Sequence, residues 1–482
     1  MAVSSPCCSI DTFSTVVEMF EQRVAASADE VAIRQKDFGL WLEFTWRDWG
    51  DHARWIGLGL KALGLERGDV VSIASEVNRE WMFSDLGALG VGAVVNGVYP
   101  TDSPSQVEYL IADSGTRFYF AEDEEQLDKV LQVRDRTPSL ERIFVFDMRG
   151  LRDLNDRMCM SFDDLLQLGQ QYEGEHHGVW ETETRKARPA DLMILIYTSG
   201  TTGPPKGSMI SHANMLFMVR VLRETYQLDS SEELLGFLPL AHVAGRMFYT
   251  FAVIGTGSTI NLVEDLETVV RDSREAAPTA HFAVPRVWEK QYSMVTILRK
   301  EATWLGRLAL DMALQVGRRR AQFVKEQRSV PTSLAVAYFL LDFLVLKNVR
   351  KLLGINRCKW LSSGGAPISP DLIEWFWALG RPMYEVYGQT ECTGLATANV
   401  PGDTRIGSVG KAVPGVEVAL SDDQEILIRS PGTIMGYWNN AEKSADTIQQ
   451  GWLYTGDIGR IDDDGYVYIV DRKKDIIITS GG

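Results

Sequence analysis

The sequence predicts an α/β fold: two parallel-sheet lobes with covering helices, followed by a small β-barrel subdomain. Three observations predict it. Between about Thr12 and Phe146 short apolar runs alternate with amphipathic segments, the pattern that builds a parallel sheet covered by helices. From Leu192 to Leu262 the same alternation resumes. After Pro401 it gives way to short strands and turns. The bounds that follow are 1–190 for the first lobe, 191–398 for the second with a helical insertion at about 291–355, 399–471 for the β subdomain, and 472–482 for a hinge segment.

A chain of 482 residues suits about three such units, and 45% hydrophobic with 24% charged residues supplies the core of a globular enzyme. A balance of 49 basic against 65 acidic residues, net −16, argues against a nucleic-acid partner, which needs a basic face. The five cysteines (Cys7, Cys8, Cys159, Cys358, Cys392) are scattered and lack metal-ligand spacing, so they read as reduced thiols in a cytoplasmic compartment. No run of 18 apolar residues and no signal pattern stands out, and a membrane-spanning protein is not expected.

In chain order, Val70 to Ala74, Ala93 to Asn96, Phe118 to Phe120 and Ile143 to Phe146 read as strands, and Trp46 to Leu63 and Arg79 to Leu89 as helices. Cys159 to Pro189 is polar and reads as a connection between lobes; the adjacent His176 and His177 read as solvated. Leu192 to Ile196 has the make-up of a buried strand and feeds Tyr197 to Gly207, YTSGTTGPPKG, ahead of a helix near Ser211. Thr198, Ser199, Thr201 and Thr202 with Gly200, Gly203 and Gly207 let hydroxyls and backbone amides close on phosphate oxygens, and Lys206 adds a charge. Because Pro205 precedes and Gly207 follows Lys206, the Gly-Lys-Ser/Thr spacing of a P-loop fails.

His242 follows a Pro239-Leu240-Ala241 turn in FLPLAHVAGRMF. Beyond Thr279 to Lys290, TAHFAVPRVWEK, come about 65 residues of helical character, with consecutive Arg318, Arg319 and Arg320 and an apolar Leu334 to Leu346. Thirteen residues do not span a bilayer, so a buried helix is the default, with peripheral docking on an anionic membrane as the other reading. Trp360 to Ile368 carries Gly364, Gly365, Ala366 and Pro367, small enough for a planar base to lie on the backbone. In YEVYGQTECTG, Tyr387 offers an aromatic face, Thr390 a hydroxyl for phosphate and Glu391 a hard oxygen for magnesium, with Gly388 and Gln389 between. Asp457 stands in WLYTGDIGR, and Arg472 and Lys474 in IVDRKKD.

In this order, those stretches resemble the adenylate-forming superfamily, and among its members the long-chain fatty acyl-CoA synthetases, which share the VPRVWEK phrase and the helical insertion. The resemblance implies ATP, magnesium and coenzyme A, a long-chain fatty acid, and a two-step ligation through an acyl-adenylate. It implies a catalytic set of Thr198, Lys206, His242, Thr390 and Glu391, with Glu391 and Thr198 on the metal, His242 beside the acyl carboxylate, Asp457 on the ribose, Arg472 on ribose or phosphate and Lys474 as the pivot. The family's lysine-bearing C-terminal domain does not follow Gly482, so impaired adenylation is expected. A fatty acyl-AMP ligase loading a carrier protein and a non-catalytic nucleotide or acyl-binding protein are the alternatives.

Overall fold

Thr45 and Asp48 exchange side-chain and backbone hydrogen bonds in a capping box, which starts the helix Trp46–Ala62. Asn78 caps Arg79–Gly90 by accepting the Trp81 N–H on its side chain. The two helices cross where each carries a glycine: a Cβ on Gly57 would stand 2.6 Å from the Gly87 carbonyl oxygen, closer than packing allows. In the computed structural model, which describes residues 12–198 and 203–473, this pair covers a seven-stranded sheet. Its order is Cys159–Ser161, Arg142–Val145, Thr116–Ala121, Val70–Ala74, Val94–Val98, Leu192–Thr198 and Lys206–Ser211, parallel throughout except for the last, antiparallel pair.

Alternation along these strands feeds two cores. Val71, Ile73, Val95, Phe118 and Phe144 face one way, and Val70, Ala74, Val94, Tyr119 and Ile143 the other. The first of these cores continues through both lobes to Val467.

A four-stranded sheet joins Glu233–Gly236, Thr259–Leu262, Val31–Asp37 and Leu40–Thr45. A five-stranded one joins Ala280–Ala283, Trp360–Ser363, Met383–Tyr387, Thr397–Ala398 and Lys411–Ala412. The small subdomain is an antiparallel half-barrel of Glu417–Leu420, Glu425–Arg429, Trp452–Ile461 and Ile448–Gln449, with Val467–Arg472 added on Trp452–Ile461. The expected fold class is thus the observed one.

Four expectations are corrected. The division at 190/191 is not a seam, because Leu192–Thr198 pairs with Val94–Val98 and the hairpin from Val31 pairs with Thr259–Leu262. The polar stretch after Cys159 is structured: Ser161 caps the helix Phe162–Glu175, whose Leu165 is buried, and Val179–Thr184 buries Trp180. A strand, Lys206–Ser211, intervenes before the helix His212–Tyr226. The apolar stretch beyond Leu334 is not a buried helix: Thr332–Leu341 buries no residue, and it belongs to a 21-residue helical run, Thr332–Leu352, long and apolar enough to cross a membrane.

Candidate active site

Leu192–Thr198 ends at a hairpin, with Thr198 opposite Lys206 and Tyr197 opposite Gly207. The Tyr197 hydroxyl donates to Asp113 at 2.6 Å, Trp438 N–H donates to the Gly207 carbonyl at 2.7 Å, and the Trp438 indole donates to the Asp113 carbonyl at 3.0 Å. The stem of this hairpin is therefore held from both sides. Ser199, Gly200, Thr201 and Thr202 lie outside the described residues, as do Cys7, Cys8 and Lys474. Gly203, at φ +98°, is described but does not line the chamber below.

Thr198 and Lys206 open on a cavity of about 460 Å³. His242, Thr390, Glu391, Gly364 and Gly365 line it too, and its other wall is apolar: Leu238, Val243, Met247, Phe248, Phe282 and Val284. The Phe248 and Phe282 rings stack at 4.6 Å. A second compartment of about 560 Å³ shares Gly365, Val386, Gly388, Gln389 and Arg472 with the first and adds Ala366, Pro367, Glu385, Tyr387 and Asp457. All the described site residues expected from the sequence except Gly203 and Gly207 thus meet in one two-part chamber. No residue of the helical insertion lines it.

His242 caps the short turn Val243–Gly245, its Nδ1 accepting the Ala244 N–H at 3.1 Å. The proton of the neutral ring therefore sits on Nε2. His242 lines the chamber with its side chain exposed, and desolvation by the protein groups around it lowers its pKa below the ordinary histidine value. Its Nε2–H is thus a neutral hydrogen-bond donor rather than part of a cation.

The backbone beyond it forms a π-helix, Arg246–Phe251, which supplies Met247 and Phe248 to the apolar wall. Arg246 is fully buried and grips the equally buried Asp85 with two nitrogens, one bond measuring 2.9 Å.

Glu391 accepts the Tyr437 hydroxyl on Oε1 at 2.8 Å. Lys206 Nζ lies 5.7 Å from the centre of the Tyr437 ring. Tyr437 is thus a site residue that the sequence showed only as part of a β-rich stretch. Among the described residues no cluster of three or more His, Cys, Asp and Glu side chains could hold a metal. Glu391 and the Thr198 hydroxyl fit a cation completed by phosphate oxygens and water, which is how magnesium is bound.

At the far end, Asp457 Oδ2 accepts the Tyr387 hydroxyl at 2.7 Å and the Gln389 amide at 2.6 Å, while Arg472 Nε lies 3.2 Å from Oδ1. Tyr387 is thus tied by its hydroxyl as well as offering a ring. Glu385 was missed by sequence reasoning. It stands two residues before Tyr387 in the same strand, so it shares that face, and this spacing was the available signal. Its Oε2 is buried with no partner among the described residues, and burial pushes its pKa up to about 7, opposed by the Gly407 N–H.

The fold is shared with solved structures. The anthranilate CoA ligase AuaEII in complex with anthranoyl-AMP matches with a TM-score of 0.76 at 23% identity, over 98% of this chain and 81% of that one. The N-terminal domain of FACL13 from Mycobacterium tuberculosis matches at 0.71 and 21%, over 95% of this chain and all of that one.

By sequence the chain is 32% identical to the long-chain-fatty-acid–CoA ligase ACSBG2 of Xenopus laevis over 97% of its own length. It is 30% identical to ACSBG1 of Bos taurus over 99%, and 32% identical to FadD15 of Mycobacterium tuberculosis (strain ATCC 25618 / H37Rv) over 92%. It spans 64% of the frog protein, 66% of the bovine one and 72% of the mycobacterial one. A family model described as AMP-binding enzyme matches residues 20–438, a stretch that runs from the first helix through the phosphate hairpin and Glu391 to the Trp438 that braces it. The chain belongs to the AMP-binding enzyme family.

Proposed function

We propose that this protein is an ATP-dependent long-chain fatty acid–CoA ligase that works through an acyl-adenylate. One observation carries the reading: the apolar compartment around Val243, Met247 and Phe248 opens directly on Thr198, Thr390 and Glu391, and from there on the slot that ends at Asp457. An acid with its chain against the apolar wall brings its carboxylate to His242, in line with the α-phosphate of a nucleotide seated in the slot. A carboxylate oxygen then attacks phosphorus and the bond to pyrophosphate breaks, giving the acyl-AMP anhydride. The coenzyme A thiolate adds to the acyl carbonyl, and AMP leaves with the electron pair of the C–O bond.

The chemistry asks for neutralisation of phosphate charge and needs no protein nucleophile. Lys206 and the hydroxyls of Thr198 and Thr390 meet that need, and magnesium on Glu391 and Thr198 would neutralise further phosphate charge. Asp457 and Arg472 orient the ribose, and Gly364 to Pro367 with Tyr387 flank the base. The names of the sequence relatives support the acid and the acceptor. The free thiols Cys159, Cys358 and Cys392 support a reducing, cytoplasmic setting, and we read a membrane surface as the place where the acid is met.

The test is pyrophosphate release from ATP and magnesium with palmitate, then palmitoyl-CoA formation when coenzyme A is added. Glu391→Gln is expected to slow release about 10²–10³-fold. Nucleotide binding without release would overturn the reading in favour of a binding protein, and release without transfer to coenzyme A would point to a carrier-protein acceptor.

A further inference from the structure

We propose that the helical hairpin formed by Trp304–Lys325 and Thr332–Leu352 is a docking face for an anionic lipid bilayer, on which it lies flat. The observation is an apolar stripe that no described residue covers. Val336, Phe339, Leu340, Phe343 and Leu344 are 54–69% exposed, and their spacing puts them on one side of the helix. Trp304, at 68%, and Leu305, at 58%, are exposed on the partner helix. Only 6% of the most apolar window of Thr332–Leu352 is buried, the opposite of a core helix. Exposed aromatic and leucine side chains on this scale mark an interaction surface.

Charge selects the occupant. Nine basic and three acidic residues lie between Trp304 and Leu352, a formal +6 within a chain of −16. Lys347 and Lys351 continue the helix beyond the stripe, with Lys347 Nζ 5.9 Å from the centre of the Phe343 ring, so the apolar face ends in cationic tips. That is the make-up of a helix resting at the boundary of acyl chains and anionic headgroups. Two copies meeting face to face would instead set +6 against +6.

The inner side of the hairpin explains why it lies on the membrane and does not cross it. Leu346 is fully buried, and Arg350 bonds both Asp342 and the Leu379 carbonyl, the latter at 2.8 Å. On the partner helix, a Cβ on Gly317 would stand 2.0 Å from the Ala378 carbonyl oxygen, so the two backbones touch. At about 31 Å the helix is long enough to span, but spanning would strip these contacts from the helix Pro370–Ala378 and the turn after it. For its purpose the inference rests on the ligase reading, since a long-chain acid resides in the bilayer.

The experiment is flotation of the purified chain with phosphatidylcholine vesicles, with and without about one third phosphatidylglycerol, at low and high salt. Binding is expected only with the anionic lipid, weakened by salt. Phe339→Ser with Phe343→Ser, and separately Lys347→Glu with Lys351→Glu, should each lower it about tenfold or more while leaving the unfolding temperature unchanged. Absence of flotation, or flotation indifferent to both pairs, would overturn the proposal. So would retention through an alkaline wash, which marks spanning, or a lipid-free dimer that the serine pair dissolves. Pyrophosphate release with a short, water-soluble acid, measured on the same samples, separates the two ideas: its loss with flotation intact counts against the ligase reading alone.

Discussion

Glu385 is the residue whose chemistry the fold alters most. Glu385 lines the slot that would take the base, its Oε2 buried and without a partner among the described residues, and an adenine amino group donates the kind of hydrogen bond a carboxylate accepts. With a folded-state pKa of about 7, the group is largely protonated at pH 6 and ionised at pH 8. AMP affinity should therefore climb with pH across that window, by up to about tenfold, and Glu385→Gln should flatten the climb because an amide oxygen accepts at every pH. Calorimetric titration at a series of pH values checks this, and a wild-type profile already flat would refute it. The sign for stability is opposite. A carboxyl raised on folding stabilises below its unfolded pKa of about 4.5 and loses that contribution as pH rises through 7, so the glutamine variant should gain in unfolding temperature relative to wild type at pH 8 but not at pH 5.

The π-helix Arg246–Phe251 shows what an element can and cannot disclose in advance. Its first residues stand in FLPLAHVAGRMF just after His242, but nothing in that stretch marks a π-helix. The ion pair that sets its place was not legible, because Asp85 lies 161 positions away and nothing local marks it. Asp85→Ala leaves the Arg246 guanidinium buried and unpaired, at a cost of about 3–5 kcal/mol read from denaturant unfolding. Asp85→Ala with Arg246→Met should recover most of it, and a single variant as stable as wild type would show that the pair is dispensable. Elsewhere legibility followed burial and caps. Val70–Ala74 is buried throughout and was read to the residue. Lys206–Ser211 lacks the β-branched alternation of a strand and owes its pairing to Leu192–Thr198, a tertiary cause. Phe162–Glu175 was hidden by its polar surface although Ser161 and Asp164 announce its start. The motifs at the site were readable one by one, whereas the ties among Tyr387, Gln389, Asp457 and Arg472 join residues 68 to 70 or 15 positions apart.

At the scale of the whole molecule, one apolar core runs from Phe13 to Val467, and the segment around Trp438 pairs with the outer edge of the phosphate hairpin, Met435 N–H donating to the Met209 carbonyl at 2.9 Å. The lobes and the small subdomain should therefore unfold in one transition, with tryptophan fluorescence and far-ultraviolet circular dichroism giving coincident curves. Two separated transitions would show that the subdomain melts alone. The same segment covers a strand edge that would otherwise offer unpaired backbone groups to another chain. The basic hairpin has a further consequence. Taking its +6 from the chain's −16 leaves −22 on the rest of the protein, so the molecule is an electric dipole with a small positive end. Near an anionic surface the field acts as a torque that repels the bulk and turns the hairpin forward before contact. Encounter then becomes a search over distance more than over orientation, and added salt slows it first by loosening that alignment.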